Sequence, residues 1–131
     1  MQTVGVLVAA LAAFAFGALW YTALSKAWLR AAGIACDAAG KPLKTSASPF
    51  VISAVSLVLI AGMMRHVMTM SGLSTPLDGL MVGFGLGALC VLPWLVTCYA
   101  YAQRPKILWV IDGAYVVLGT TIVGVVLSFF L

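Results

Sequence analysis

The placement of ionised side chains constrains this chain more than any other feature. Seven basic and three acidic residues are grouped so that uncharged runs cover 1–25, 45–64, 79–103 and 113–131. A charge at the centre of a bilayer is costly, and about 20 helical residues cross its roughly 30 Å of hydrocarbon, so each run with its flanks matches one crossing. Composition points the same way: 64% of the 131 residues are hydrophobic and 8% are charged. That balance excludes a soluble enzyme, a disordered tail, a disulfide-stapled secreted module and a nucleic-acid reader, all of which need more polar surface. The expected fold is all-α, an integral membrane four-helix bundle with helices at about 3–25, 49–70, 76–102 and 107–130. Residues 1–131 then form a single transmembrane domain, with a cytoplasmic loop at about 26–48.

Local chemistry marks the boundaries. Ser48-Pro49 and Thr75-Pro76 each place a hydroxyl cap before a proline at the first helical position, and Asp78 suits the positive end of the third helix. The first segment lacks a basic leader and a small-residue cleavage site, so it is read as a permanent span rather than a removable signal. Lys26, Arg30, Lys41, Lys44, Arg104 and Lys106 fall in the first and third loops, whereas Arg65 alone lies at the other end. By the positive-inside rule the two basic loops are cytoplasmic and both termini are outside, in the cell inner (cytoplasmic) membrane. Topology and anionic headgroups account for the net charge of +4. The expected partners are therefore the lipid bilayer and a homo-oligomer or larger membrane complex, with no nucleic acid.

Membrane helices associate through small residues that let backbones approach. Gly5, Ala9, Ala13 and Gly17 recur every four residues on the first helix, as Gly79, Gly83 and Gly87 do on the third. The two ladders predict a close pairing of the first and third helices. Residues 13–19 and 83–89 also share a weak likeness, of the kind two helix hairpins related by a parallel repeat would show. Pro93 should remove one helical hydrogen bond, kink the third helix and free the Leu89 carbonyl. Trp20, Trp28, Trp94 and Trp109, with Tyr21, Tyr99, Tyr101 and Tyr115, collect toward the basic loops, as an interfacial belt does. Trp94 lies roughly 12 Å above its helix end by the helical rise, so it is expected to pack between helices.

Asp112 is the charge placed inside a span, six residues beyond Lys106, or about 9 Å into the fourth helix. Trp109, Asp112 and Tyr115 share a helical stripe with Gly119, and Trp20, Tyr21 and Trp94 lie at comparable depth elsewhere. Asp112, Tyr115, Trp109, Trp20, Tyr21 and Trp94 therefore form a candidate polar pocket. Two readings stand for the carboxylate. It is a proton or cation relay or a headgroup site, or else it is structural, satisfied by Tyr21, a tryptophan N–H or a basic loop residue; the second is favoured.

At the other end, Met63, Met64, Arg65, His66, Met68 and Met70 offer soft ligands suited to Cu(I). Met63, His66 and Met70 share one helical face and Met64 and Met68 another, and methionine more commonly serves as adaptable packing. No metal is expected, and Arg65 and His66 are expected to pair with Asp78 instead. Cys36, Cys90 and Cys98 form no redox or metal pattern, and GFGLG at 83–87 lies inside a span rather than after a strand. The single histidine is far from any nucleophile at the aromatic end. Hence no catalytic residue and no cofactor is expected.

Phe16-Gly17-Ala18-Leu19-Trp20-Tyr21, continuing through Lys26-Ala27-Trp28, and Arg104-Pro105 leading to Ile111-Asp112-Gly113-Ala114-Tyr115 resemble the small membrane proteins grouped as the 1761 domain-of-unknown-function family. The likeness extends over nearly the whole chain, and these two stretches are its specific parts. It implies a four-helix membrane domain with no assigned activity, and it puts Trp20, Tyr21, Asp112 and Tyr115 first for testing. The leading expectation is a non-enzymatic oligomeric or accessory membrane subunit. Behind it stand a small oligomeric transporter or channel using Asp112 to handle an ion or proton, and a membrane enzyme acting on a lipid or amphiphile.

Overall fold

A computed structural model describes residues 2–131, which are helical apart from tight turns and a longer connection at 33–47. Helix α1 covers Gln2–Ala23, α2 Ser25–Ala32, α3 Ser48–Met70, α4 Pro76–Leu86, α5 Leu92–Tyr101 and α6 Lys106–Ser128. A π-helical turn, Gly87–Val91, joins α4 to α5, so the two form one apolar rod from Pro76 to Tyr101. Together with α1, α3 and α6, this gives four helices long and apolar enough to cross a membrane.

The ends follow from local chemistry. Thr75 and Asp78 form a reciprocal capping box at the start of α4, with Pro76 in the first turn. Ser48 itself opens α3 ahead of Pro49, and its predecessor Ala47 provides no side-chain cap. The region expected as loop at 26–48 contains α2, which ends where Gly33 adopts a left-handed φ of 72°. Pro93 lacks the N–H that an α-helix would direct at Leu89. The chain accommodates it by winding wider just upstream, with the Leu92 N–H donating to the Gly87 carbonyl.

Helix α6 is the centre of the bundle, touching α1, α2, α3, α4 and α5. The expected pairing of the first and third spans does not form: among the described residues α1 has no contact with α4. Each ladder instead meets α6 or α3. A β-carbon built on Gly79 would lie 2.7 Å from the Gly124 carbonyl carbon, one on Gly83 2.7 Å from the Thr121 Cα, and one on Gly87 2.9 Å from the Val117 Cα. Gly5 and Gly17 face the side chains of Phe130, just beyond α6, and Tyr115, in its first half, again with room for no side chain. Between them Ala9 and Ala13 are buried in a core with Leu57, Ala61, Met64 and Met68 of α3 and Val123 and Leu127 of α6. Small residues reveal that a backbone comes close, but the helix that approaches is set by how all four spans divide the available surface.

Candidate functional site

Asp112 organises the end of the bundle that carries the six basic loop residues. It sits one and a half turns into α6 and is 7% exposed. Its Oδ1 accepts hydrogen bonds from the Tyr21 hydroxyl at 2.5 Å and the Trp28 indole N–H at 2.9 Å. Its Oδ2 accepts from the Tyr99 hydroxyl at 2.6 Å. A carboxylate offers about four acceptor positions, so three are filled, each by a neutral donor from a different element: α1, α2 and α5. Both oxygens of the buried side chain thereby have partners, which offsets the cost of removing it from water.

Aromatic packing surrounds this contact. The Trp20 indole N–H donates to the Ile111 carbonyl at 3.0 Å, so α1 is tied to α6 at adjacent positions. The Tyr21 ring lies edge-on to Trp28, with centroids 5.7 Å apart, and to Tyr115 at 5.1 Å. Tyr115 stacks on Phe16 and occupies the space left by Gly17. The arrangement fastens four elements at one point, and no second carboxylate, imidazole or amine is among the carboxylate's partners.

The six residues expected in a pocket thus part company. Asp112 and Tyr21 bond directly, while Trp20 and Tyr115 buttress them. Trp109 turns the other way, its N–H donating to the Arg104 carbonyl at 3.2 Å and securing the turn before α6. Trp94 is 74% exposed, contrary to the expectation of burial between helices. The π-helical turn explains this. On an unbroken α-helix, residue 94 would fall on the face of Gly87, since each residue advances about 100°; the extra residue of the turn swings it outward.

Two members of the cluster were not legible as such. Tyr21 and Trp28 are seven residues apart, a spacing that would align them on one helical face, but Trp28 lies beyond the apolar run. Tyr99 lies three residues before the 102–105 connection and Asp112 seven after it, so distance from the turn did not mark them as facing positions.

The opposite end also differs from expectation. Asp78 Oδ2 accepts from the Thr75 N–H and hydroxyl and from the Ser74 N–H. Among the described residues it makes no pair with Arg65 or His66, because capping α4 occupies it. Met64 and Met68 are core residues, whereas Met63, His66 and Met70 are exposed on α3.

An all-helical bundle of four apolar spans, locked at one end by a buried carboxylate, defines a small multi-pass α-helical membrane protein. Within that class the chain belongs to the family described as "Protein of unknown function (DUF1761)", whose profile matches residues 4–128. No curated protein and no solved structure matches it.

Proposed function

We propose that the protein is a non-enzymatic membrane subunit that acts by lateral association, with itself or within a larger membrane complex. In this reading it resides in the inner membrane with both termini outside and the basic loops in the cytoplasm. The observation that carries the reading is the state of Asp112, whose oxygens are engaged by three neutral donors from three other elements. Such a group works as a fastening, not as a relay. Removing it by Asp112→Ala strands three donors. At about 0.6–1.7 kcal/mol for each hydrogen bond within a membrane, the loss is about 2–5 kcal/mol of stability. Asp112→Asn keeps one carbonyl oxygen for Tyr21 and Trp28 and should cost less.

The test combines detergent unfolding with proton flux measured by a pH-sensitive dye in proteoliposomes, and with the mass of the protein in its detergent particle. Destabilised variants, no flux above empty vesicles and a mass above one chain support the reading. Flux that disappears in a normally stable Asp112→Asn variant would establish the transporter reading instead. Orientation is checked independently through exposed Cys36 in the first loop. A membrane-impermeant maleimide should reach it in inverted vesicles and leave it untouched in spheroplasts.

A further inference from the structure

Two cavities on the side of the bundle formed by α1, α3 and α6 meet end to end. One, of about 610 Å³, opens at the basic end, and the other, of about 210 Å³, continues between α3 and α6. Ser53 and Tyr115 line both, so the two form one groove. The gap exists because small residues face it: Ala18 from α1, Ser53 from α3 and Gly119 from α6. A β-carbon built on Gly119 would meet nothing within 4 Å, although the residue is buried. Along α3 the groove extends from Pro49 to Ile60, roughly 16 Å at the helical rise and about half the thickness of a bilayer core. It therefore has the length of one leaflet, and a volume in the usual range of about 300–1,000 Å³ for small-molecule sites.

The chemistry of the walls narrows the occupant. No lysine, arginine, histidine, aspartate or glutamate lines either cavity among the described residues. The polar groups of the wider cavity include the hydroxyls of Thr22, Ser25, Ser53 and Tyr115, gathered at the basic end and along the junction. Hydrocarbon walls do not distinguish one lipid tail from another, because the surrounding tails are equally apolar. Selection falls to the head. A phosphate or carboxylate drawn into the groove would lose water and find no cation, a costly exchange, whereas a hydroxyl or ester carbonyl finds partners of its own kind.

We propose that this groove binds a single-chain, uncharged amphiphile from the adjoining leaflet, of the monoacylglycerol or long-chain alcohol class. The head lies by Thr22, Ser25 and Ser53, and the tail passes Tyr115 into the space beside Gly119. This site is independent of the role assigned to Asp112.

The experiment uses the full chain in phosphatidylcholine nanodiscs with a trace of monoacylglycerol carrying a diazirine in its tail. After illumination, adducts are mapped by peptide mass spectrometry. The expected adducts fall within 53–60 and 115–123, and unlabelled monooleoylglycerol displaces the probe while oleate and lysophosphatidic acid do not. Ala18→Trp, which fills the wider cavity, should lower labelling about tenfold, equivalent to about 1.4 kcal/mol of binding. Leu19→Trp, at a position 72% exposed and outside the groove, should leave it unchanged. If Ala18→Trp loses its unfolding transition, Gly119→Leu, which fills the narrower cavity, gives the decisive comparison. Adducts spread evenly over the outer helix faces, equal competition by oleate or lysophosphatidic acid, or cross-links to a second copy at the groove would overturn the proposal.

Discussion

Replacing Gly83 with alanine should open the seam between α4 and α6, and Gly85→Ala on the same helix provides the reference. A β-carbon on Gly83 would stand 2.7 Å from the Thr121 Cα and 3.0 Å from the Thr120 carbonyl carbon, where ordinary contact begins at 3.4 Å. Both obstacles are backbone, so no rotamer change relieves them and one helix must retreat by several tenths of an ångström. That retreat is shared by the contacts at Gly79 and Gly87, which are equally close. A radial gap of about 0.5–1 Å forfeits about a quarter to a half of each dispersion contact, and overpacking a tight interior costs about 1–3 kcal/mol. Alanine also favours helix over glycine by about 0.8–1.0 kcal/mol, a gain common to both variants. At Gly85 a β-carbon meets nothing within 4 Å, so only that gain applies. The two variants should therefore differ by about 1–3 kcal/mol, Gly83→Ala being the weaker. Unfolding by titration with sodium dodecyl sulfate in mixed micelles, followed by circular dichroism, measures the difference. Equal stabilities within about 0.5 kcal/mol, the usual limit of additivity, would refute the inference that this glycine ladder is a backbone contact.

Trp28→Phe keeps most of the apolar ring but removes the N–H that ties α2 to Asp112. It should cost about 0.5–1.5 kcal/mol and make the segment around 24–47 cleave faster under limited proteolysis, whereas an unchanged digestion rate would mean that α2 is held elsewhere. Trp94→Leu should leave the unfolding midpoint where it is, and the fluorescence lost with Trp94 should be the component most quenched by brominated lipid. Strong destabilisation would place that ring inside the bundle after all.

The spans were legible because an ionised group in hydrocarbon is so unfavourable that the gaps between charges delimit them. The same penalty singled out Asp112 and required it to find partners, and equal depth correctly nominated Tyr21. Depth, however, does not specify rotation. Trp94 and Tyr99 lie on one rod and in the same half of it, yet the first faces outward and the second reaches the carboxylate. Nor does a ladder of small residues name its partner: Gly79, Gly83 and Gly87 fit α6 along Gly124, Thr120 and Val117, a stripe in which only one of the three is glycine. Hydropathy also passed over α2, because its Lys26 and Arg30 mark it as loop while Trp28 ties it to Asp112. The groove escaped notice because what defines it, the joint smallness of Ala18, Ser53 and Gly119, appears only when three helices are brought together.

The π-helical turn at Gly87–Val91 also sets how the rod tolerates change in its length. It holds one residue more than an α-helix would, so deleting a single codon there, such as that of exposed Cys90, would restore an uninterrupted α-helix. Five residues wound in the wide turn advance the chain by about the same angle as four in an α-helix, so everything beyond the deletion would keep its orientation. Trp94 would stay on the outer face and Tyr99 on Asp112, whereas deleting a residue between the turn and Tyr99, such as Val96, would rotate Tyr99 or the rod before it by about 100°. For this protein a one-residue deletion is absorbed inside the turn, while the same deletion a helical turn further on would undo the fastening as surely as removing the tyrosine itself.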